Sequence, residues 1–359
     1  YISCNITKNF NTKKIGTKFL INDIKQIQYT DNVTISGKFT DINGNNLRYT
    51  PVFVLVNNVK YTVKTDDAGT FKHTFKATTI GKNNVPIYYL GNTRYDGANK
   101  DTSFNVVKKD TKFTLEKNER IAKNTYLWVL RGDISDITAP GQFVNIKLDG
   151  MYLRRPISVC DCQPGELTLI YKVVGKGTAQ MAELAAGTKL NALTGLGNGF
   201  DTSVEHNHAL LVGGGVGVPP LYRLARNLIA EGKQVTVVLG FNTAAEIFYR
   251  EQFEALGVKV IIATADGSVG VKGFVTDAIA QQVTDADYFY SCGPLPMLRA
   301  LTQSLTIPGQ VSLEERMGCG FGACAGCPAK LRMPDGSIKQ EGVCKLGPVF
   351  PGKAVIFND

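Results

Sequence analysis

A chain of 359 residues with 43% apolar and 20% charged content has room for two to three globular domains, which excludes a disordered or collagen-like chain. No apolar run approaches the roughly 18 residues a membrane-spanning helix needs, and no charged start followed by an apolar core opens the chain. The net charge of +9 is uneven: residues 1 to 110 hold 16 Lys+Arg against 8 Asp and no Glu, whereas residues 111 to 359 hold 24 against 23.

The same first third holds 15 of the 24 Asn, so composition changes near Lys108 to Thr111 and a first domain boundary is expected there. Its lysines are scattered, with no helical stripe and no interleaved stacking aromatics, the pattern of a solvated surface and not of a nucleic-acid site. Apolar residues alternate at Val33, Ile35 and Phe39, at Val59, Tyr61 and Val63, at Phe71 and Phe75, at Val85, Ile87 and Tyr89, and at Phe104 and Val106. Period two predicts half-buried strands. Turn chemistry separates them at Asn43-Gly44, Asn57-Asn58, Asp67-Ala68-Gly69 and Gly91-Asn92, so an immunoglobulin-like β-sandwich is expected over 1–110. The stretch Thr65 to Phe71, with Tyr89-Leu90-Gly91-Asn92 and Tyr95, resembles the Ig-like repeats of adhesin-like surface proteins of methanogenic archaea. The sequons Asn5-Ile6-Thr7 and Asn32-Val33-Thr34 fit a surface origin, although such triplets arise readily in Asn- and Thr-rich sequence. His73 is expected on a strand face, and no catalytic constellation precedes residue 111.

Short β-like runs broken by Gly and Pro, including Gln142 to Leu148 and Leu167 to Val174, predict a small barrel over 111–205. It carries Arg154-Arg155-Pro156-Ile157-Ser158 and Gly175-Lys176-Gly177-Thr178, an arginine pair and a glycine turn suited to a pyrophosphate. Taken alone they read more readily as surface arginines beside a hairpin.

An α/β nucleotide-binding domain is expected over 206–309. Residues 209 to 215 form an apolar strand running into Gly213-Gly214-Gly215-Val216-Gly217-Val218-Pro219, followed by a helix from Leu221 to Glu231. Strand, glycine turn and helix make a phosphate cradle, here without the common G-x-G-x-x-G spacing. Further strands at Gln234 to Gly240, Val258 to Thr264 and Asp287 to Ser291 imply a parallel, doubly wound sheet. The last leads into Cys292-Gly293-Pro294 at the rim where such sheets bind ligands, so Cys292 either faces a reacting ring or is a buried small residue. His206 and His208 imitate a metal pair but have no third ligand nearby in sequence, and a loop is expected.

The remaining segment, 310–359, contains Cys319, Cys324, Cys327 and Cys344, spaced C-x4-C-x2-C and then a gap of sixteen among interleaved glycines. This is the plant-type 2Fe-2S pattern, with a structural zinc site and a disulfide pair as alternatives. Cys4, Cys160, Cys162 and Cys292 lie outside it with no matching spacing; Cys160 and Cys162 are expected as free thiols on strand-like sequence, and a cluster together with unpaired thiols favours a reducing, cytoplasmic interior. A nicotinamide moves two electrons as hydride and such a cluster passes one at a time, so a flavin is required between them, and the barrel is its expected holder. With no hydrolytic triad or acid–base pair in view, no catalytic side chain is assigned: the chain carries electrons.

Residues 111 to 359 resemble the electron-transfer subunits of dihydroorotate dehydrogenase B, within the ferredoxin reductase-like group. The resemblance rests on Pro140-Gly141-Gln142-Phe143-Val144, Arg154 to Ser158, Gly175 to Thr178, Gly213 to Pro220, Phe248-Tyr249, Asp266-Gly267-Ser268, Cys292-Gly293-Pro294 and Glu315-Arg316-Met317 leading into the cysteines. It implies FAD at Arg155, Pro156, Ile157, Ser158, Ile170, Tyr171, Lys172, Gly177 and Thr178, with Arg155 at the pyrophosphate and Ser158 near the flavin's reactive edge. NAD is implied at Gly213, Gly214, Gly215, Gly217, Cys292, Gly293 and Pro294. A catalytic subunit with FMN, oxidising dihydroorotate to orotate in pyrimidine synthesis, is the implied partner in a heterotetramer; neither nucleic acid nor membrane is expected. Lys345 to Phe350 depart from the family's usual Asp-Gly before Gly-Pro. Neither an acidic nor a basic residue follows Gly240 before Glu246 and Arg250, so NAD in preference to NADP rests on the resemblance.

An Ig-like surface repeat and a cytoplasmic redox subunit belong to different compartments, and the chain begins at Tyr1 and not at Met. The first 110 residues are therefore expected to be an accidental or artificial fusion, with a genuine fusion as the alternative. Two other functions stand beside the leading one: a flavin and iron–sulfur reductase serving ferredoxin or a sulfur compound, and a surface adhesin with a passenger reductase.

Overall fold

The computed structural model describes residues 13–357 apart from 26, 30, 58, 78, 80, 109 and 284. Cys4, the Asn5-Ile6-Thr7 sequon and Asn58 of the second predicted turn lie outside the described residues. The chain divides into two compact units, Tyr1–Lys109 and Asp110–Asp359.

In the first unit the strands are β1 (Thr17–Ile21), β2 (Ile27–Gln28), β3 (Asn32–Asp41), β4 (Pro51–Val56), β5 (Val59–Lys64), β6 (Thr70–Lys76), β7 (Gly81–Tyr89) and β8 (Ala98–Val107). They form two sheets, β1-β3-β6 and β2-β8-β7-β4-β5. Alternate residues of both sheets, among them Val33, Ile35, Val52, Val54, Val85, Ile87 and Phe104, build one core. The period-two reading places these strand faces correctly, because a one-residue slip would turn every one of these side chains to water, but it fails at Val59, which opens β5 and is 51% exposed. His73 lies on β6 with its ring against Tyr61 and Phe75.

In the second unit β9 (Thr111–Ala122), β10 (Thr125–Gly132), β11 (Phe143–Lys147), β12 (Arg155–Gln163), β13 (Glu166–Lys172) and β14 (Lys189–Leu196) close into a barrel of order β10-β13-β12-β11-β14-β9. Its interior is filled by Phe113, Leu115, Trp128, Leu130, Val144, Ile146, Val159, Leu167 and Leu169, so the barrel is a packed core and any ligand must lie outside it. Between β13 and β14 comes α1 (Lys176–Ala182), where the sequence predicts only a glycine turn.

A seven-stranded sheet follows. Its parallel strands are β15 (His208–Gly214), β16 (Gln234–Phe241), β17 (Lys259–Thr264), β18 (Val271–Lys272), β19 (Tyr288–Cys292) and β20 (Gly309–Ser312), with helices α2 (Pro219–Ala230), α3 (Arg250–Glu254), α4 (Val275–Gln282) and α5 (Leu295–Ser304) between them. Strands β16, β17 and β18 extend to one side of β15, while β19 and β20 lie on the other. That reversal opens a crevice at the carboxyl ends of β15 and β19. Helix α2 starts with two prolines, tolerated because the first helical N–H groups have no intrahelical acceptor.

The cysteine-rich segment leaves β20, makes the hairpin of β21 (Pro328–Arg332) and β22 (Ile338–Gly342), turns through α6 (Val343–Leu346), and returns as β23 (Val349–Pro351). Strand β23 pairs antiparallel with β20 itself. Among the described residues no helix is long and apolar enough to cross a membrane.

Candidate redox site

The four clustered cysteines approach as two pairs. The sulfurs of Cys319 and Cys324 are 3.4 Å apart, and the backbone N–H of Cys344 donates to Cys327 Sγ at 3.4 Å. The N–H of Phe321 points at Cys319 Sγ (3.5 Å) and that of Gly322 at Cys344 Sγ (3.2 Å). Backbone donors aimed at sulfur stabilise thiolate, the form that binds metal. Burial raises the Cys319 thiol, but the N–H groups of Phe321, Cys324 and Ala323 and the Cys324 thiol outweigh it and bring it down to about 7. Cys344 is pushed up to about 12 by burial and the neighbouring Cys327 thiol. Among the described residues no three His, Cys, Asp or Glu side chains form a group fit for a single metal ion. Two thiol pairs suit a two-iron cluster better than the one tetrahedral centre of a zinc site.

Asn145 ties this loop to the barrel. Its side-chain amide donates to the Cys319 carbonyl at 3.3 Å. A Cβ on Gly320 would stand 2.5 Å from that amide nitrogen, and Gly320 also has φ +78°, so only glycine fits there. Asn198 holds the other end: its N–H donates to the Gly347 carbonyl and its amide to that of Leu346. The departure from the family pattern at Lys345 to Phe350 therefore lies against the barrel, beyond the last cysteine.

On β12, Pro156, Ser158 and Cys160 alternate with Ile157 and Val159, which point into the barrel. Arg155 donates to the carbonyls of Leu153 and Arg154, and a Cβ on Gly177 would run into its guanidinium. The two motifs that sequence places 22 residues apart thus form one cradle. Arg154, its neighbour, is taken up by Asp110 (2.8 Å). Thr178 does not present its hydroxyl to a ligand; it accepts from the N–H groups of Val174 and Gly175 and donates to the Gly175 carbonyl, which shapes the turn. Tyr171 also differs from a simple ligand contact: its side chain is buried in the barrel core against Trp128, and Ile170 is buried on the opposite side against the nucleotide-binding domain. Both side chains are thus committed to packing on the two sides of the strand.

A cavity of about 530 Å³ opens at the carboxyl ends of the parallel strands, lined by Gly214, Gly215, Asn242, Pro294, Met297 and Glu314. A Cβ on Gly217 would run into the Cys292 carbonyl, and one on Gly214 would come 2.6 Å from Met297 Sδ, so bare glycines keep the floor open. Gly213 is likewise closed in by Val218 and Leu221. Cys292 is buried beneath this floor and does not face an open ring site; burial, then the Glu314 carboxylate, pushes its thiol far up. Lys172, from the barrel, reaches the cavity and pairs with Glu246 at 3.4 Å. The Asn242 amide donates to the same carboxylate.

The family model for the iron–sulfur cluster binding domain of dihydroorotate dehydrogenase B matches residues 314–356, and that for the oxidoreductase NAD-binding domain matches residues 211–303. The chain is 44% identical over 258 residues to the dihydroorotate dehydrogenase B (NAD(+)) electron transfer subunit of Shouchella clausii, covering 69% of this chain and 99% of that protein. The chain belongs to the family of dihydroorotate dehydrogenase B electron transfer subunits. The subunit of the same name from Fusobacterium nucleatum is also 44% identical, over 66% of this chain and 95% of its own length. Among solved structures, the NADH-dependent reduced ferredoxin-NADP oxidoreductase studied for flavin-based electron bifurcation is 31% identical with a TM-score of 0.61, covering 68% of this chain and 89% of that one. The Amycolatopsis cytochrome P450 reductase GcoB shares the fold at 23% identity and a TM-score of 0.50, over 58% of this chain and 70% of its own.

As a member of this family the chain is an oxidoreductase component of ferredoxin reductase-like fold that serves electron transfer with an iron–sulfur cluster, NAD and FAD. Sequence reading missed Asn145, Asn198, Glu314 and the pairing of Lys172 with Glu246. Glu314 stands immediately before the Glu315-Arg316-Met317 stretch. It lines the cavity, and desolvation pushes its carboxyl up. His206 lies in the loop before β15, as expected, with its ring stacked on Tyr288, whereas His208 opens β15 and its Nε2 bonds Thr236 Oγ1 at 2.8 Å.

Proposed function

We propose that this chain passes electrons from an FMN-bearing catalytic subunit, which oxidises dihydroorotate to orotate, to NAD. Cys319, Cys324, Cys327 and Cys344 would hold the 2Fe-2S cluster as two pairs. Arg155 would neutralise the FAD pyrophosphate over Gly177, the bare backbone of Ile170 to Lys172 and the face of Pro156 and Ser158 would seat the flavin ring, and the flavin would convert single electrons to hydride. Gly213, Gly214, Gly215 and Gly217 would admit the NAD pyrophosphate, with Cys292-Gly293-Pro294 closing the nicotinamide end. Glu246 and Asn242, beyond the second strand of the sheet, offer a carboxylate and an amide to ribose hydroxyls and would repel a 2′-phosphate, which favours NAD.

What supports this reading is that the candidate residues for all three groups lie in the single unit Asp110–Asp359, with Lys172 of the barrel reaching the nucleotide cavity and Asn145 of the barrel touching the cluster loop. The same reading assigns the barrel to 111–205, the NAD domain to 206–309 and the cluster domain to 310–359. It puts the subunit in a cytoplasmic heterotetramer with its FMN partner, and makes residues 1–110 an Ig-like sandwich that takes no part in the chemistry. The test is an anaerobic absorbance spectrum of the purified chain with metal, sulfide and flavin analysis, then NADH. Two irons, two sulfides and one FAD per chain are expected, with flavin bleaching on NADH. Zinc in place of iron, or no flavin, would overturn the reading.

A further inference from the structure

Asn145 is fully buried in the middle of a barrel strand, where an apolar residue would cost nothing. Its Oδ1 has no hydrogen-bond partner in the protein. An amide in such a place is costly unless it serves a specific contact. The contact is with the Cys319 carbonyl, and Gly320 lacks the side chain that would close the approach. On the strand side, Asn145 is paired directly with Pro156, and Phe143 with Ser158. Residues opposite one another in a ladder share a face. Asn145 therefore stands on the barrel face that carries Pro156 and Ser158, and from there it grips the loop of the first cluster cysteine. Arg154 steadies the same point, donating to the Asn145 carbonyl (3.5 Å) while paired to Asp110.

We infer that Asn145 is a positioning residue for electron exchange: it fixes the cluster loop against the flavin-bearing strand pair and so sets the rate at which the flavin and the cluster share electrons. This rests on the function proposed above. Asn198 provides the contrast, because it holds the segment after Cys344 through Leu346 and Gly347 and lies beyond the end of β14, outside the β11–β12 strand pair.

The experiment uses the full chain loaded with its cofactors, in stopped flow under anaerobic conditions with NADH. NADH gives two electrons as hydride to the flavin, and the oxidised cluster takes one from the reduced flavin. Flavin and cluster bleaching are followed at separate wavelengths. For Asn145→Ala and Asn145→Ser the expected result is unchanged iron and FAD content, unchanged flavin bleaching, cluster bleaching slowed at least about tenfold, and an altered electron paramagnetic resonance line shape of the reduced cluster. Asn198→Ala is expected to leave the cluster phase within about twofold of the parent. Cluster bleaching at the parent rate in both Asn145 variants would overturn the inference. So would loss of iron from both, which would make Asn145 a structural support of the cluster only. Failure of the parent chain to bind FAD or to bleach with NADH would instead overturn the proposed function, and the inference with it.

Discussion

Gly217 and Asp287 illustrate how much single positions decide. Gly217 abuts the Cys292 carbonyl so closely that any Cβ must displace backbone, which a flexible side chain's movement cannot relieve. Gly217→Ala is expected to weaken NADH-driven flavin bleaching at least about tenfold while FAD content stays at one per chain, as stopped flow and flavin extraction would read. Asp287 accepts the N–H groups of Asn207 (2.8 Å) and His208 (2.9 Å) at the entry to the parallel sheet. Burial alone would raise its carboxyl, but these donors outweigh it and the net direction is down. Its folded pKa lies below its unfolded one, so its contribution is present above the unfolded value of about 4 and is lost as pH falls through the depressed one. Relative to Asp287→Asn, the parent's melting temperature should hold an advantage near pH 6 that shrinks below about pH 4. An advantage constant down to pH 3 would contradict it.

Between elements, the join of the barrel to the nucleotide-binding domain is β12 against α2. Arg226 of α2 donates to both oxygens of Asp161, at 2.7 and 2.6 Å, and Asp161 is only 9% exposed. Removing the cation strands a buried carboxylate, so Arg226→Ala should cost about 2 to 3 kcal/mol in urea unfolding. A loss under about 0.5 kcal/mol would mean that water reaches Asp161. Elements of this kind were largely legible in the sequence. Period-two alternation placed the strands, and glycine runs and the cysteine spacing announced the nucleotide turn and the cluster, because local geometry dictates those residue types. Asn145 was not legible: its partner lies 174 residues away, and one Asn in an apolar strand carries no signal until the chain has folded. Nor were Glu314 and the Lys172–Glu246 pair, for the same reason of distance in sequence. Thr178 and Tyr171 show the converse, since their motif was recognised but their side chains are committed to a turn and a core.

At the scale of the whole molecule, the relatives from Shouchella and Fusobacterium match 69% and 66% of the chain, a share that the second unit accounts for. Residues 110–359 expressed alone are therefore expected to fold, bind the same iron and flavin, and reduce the flavin with NADH at the parent rate. Insoluble protein or an empty flavin site would show that the first unit is needed.

All six parallel strands of the sheet precede the cysteine segment and only β23 follows it, so residues 313–348 are an excursion between two neighbouring strands, β20 and β23. The excursion packs on the sheet, with Cys327, Leu331, Val343 and Cys344 in one core with Val212, Val238 and Phe289. Stripping iron with a chelator should leave the circular dichroism of the parallel sheet and hydride transfer from NADH to the flavin in place, while only single-electron traffic stops. Because the segment joins the sheet at its β20–β23 edge, any disturbance from the missing cluster is expected to reach that edge before the strands that carry the glycine turn.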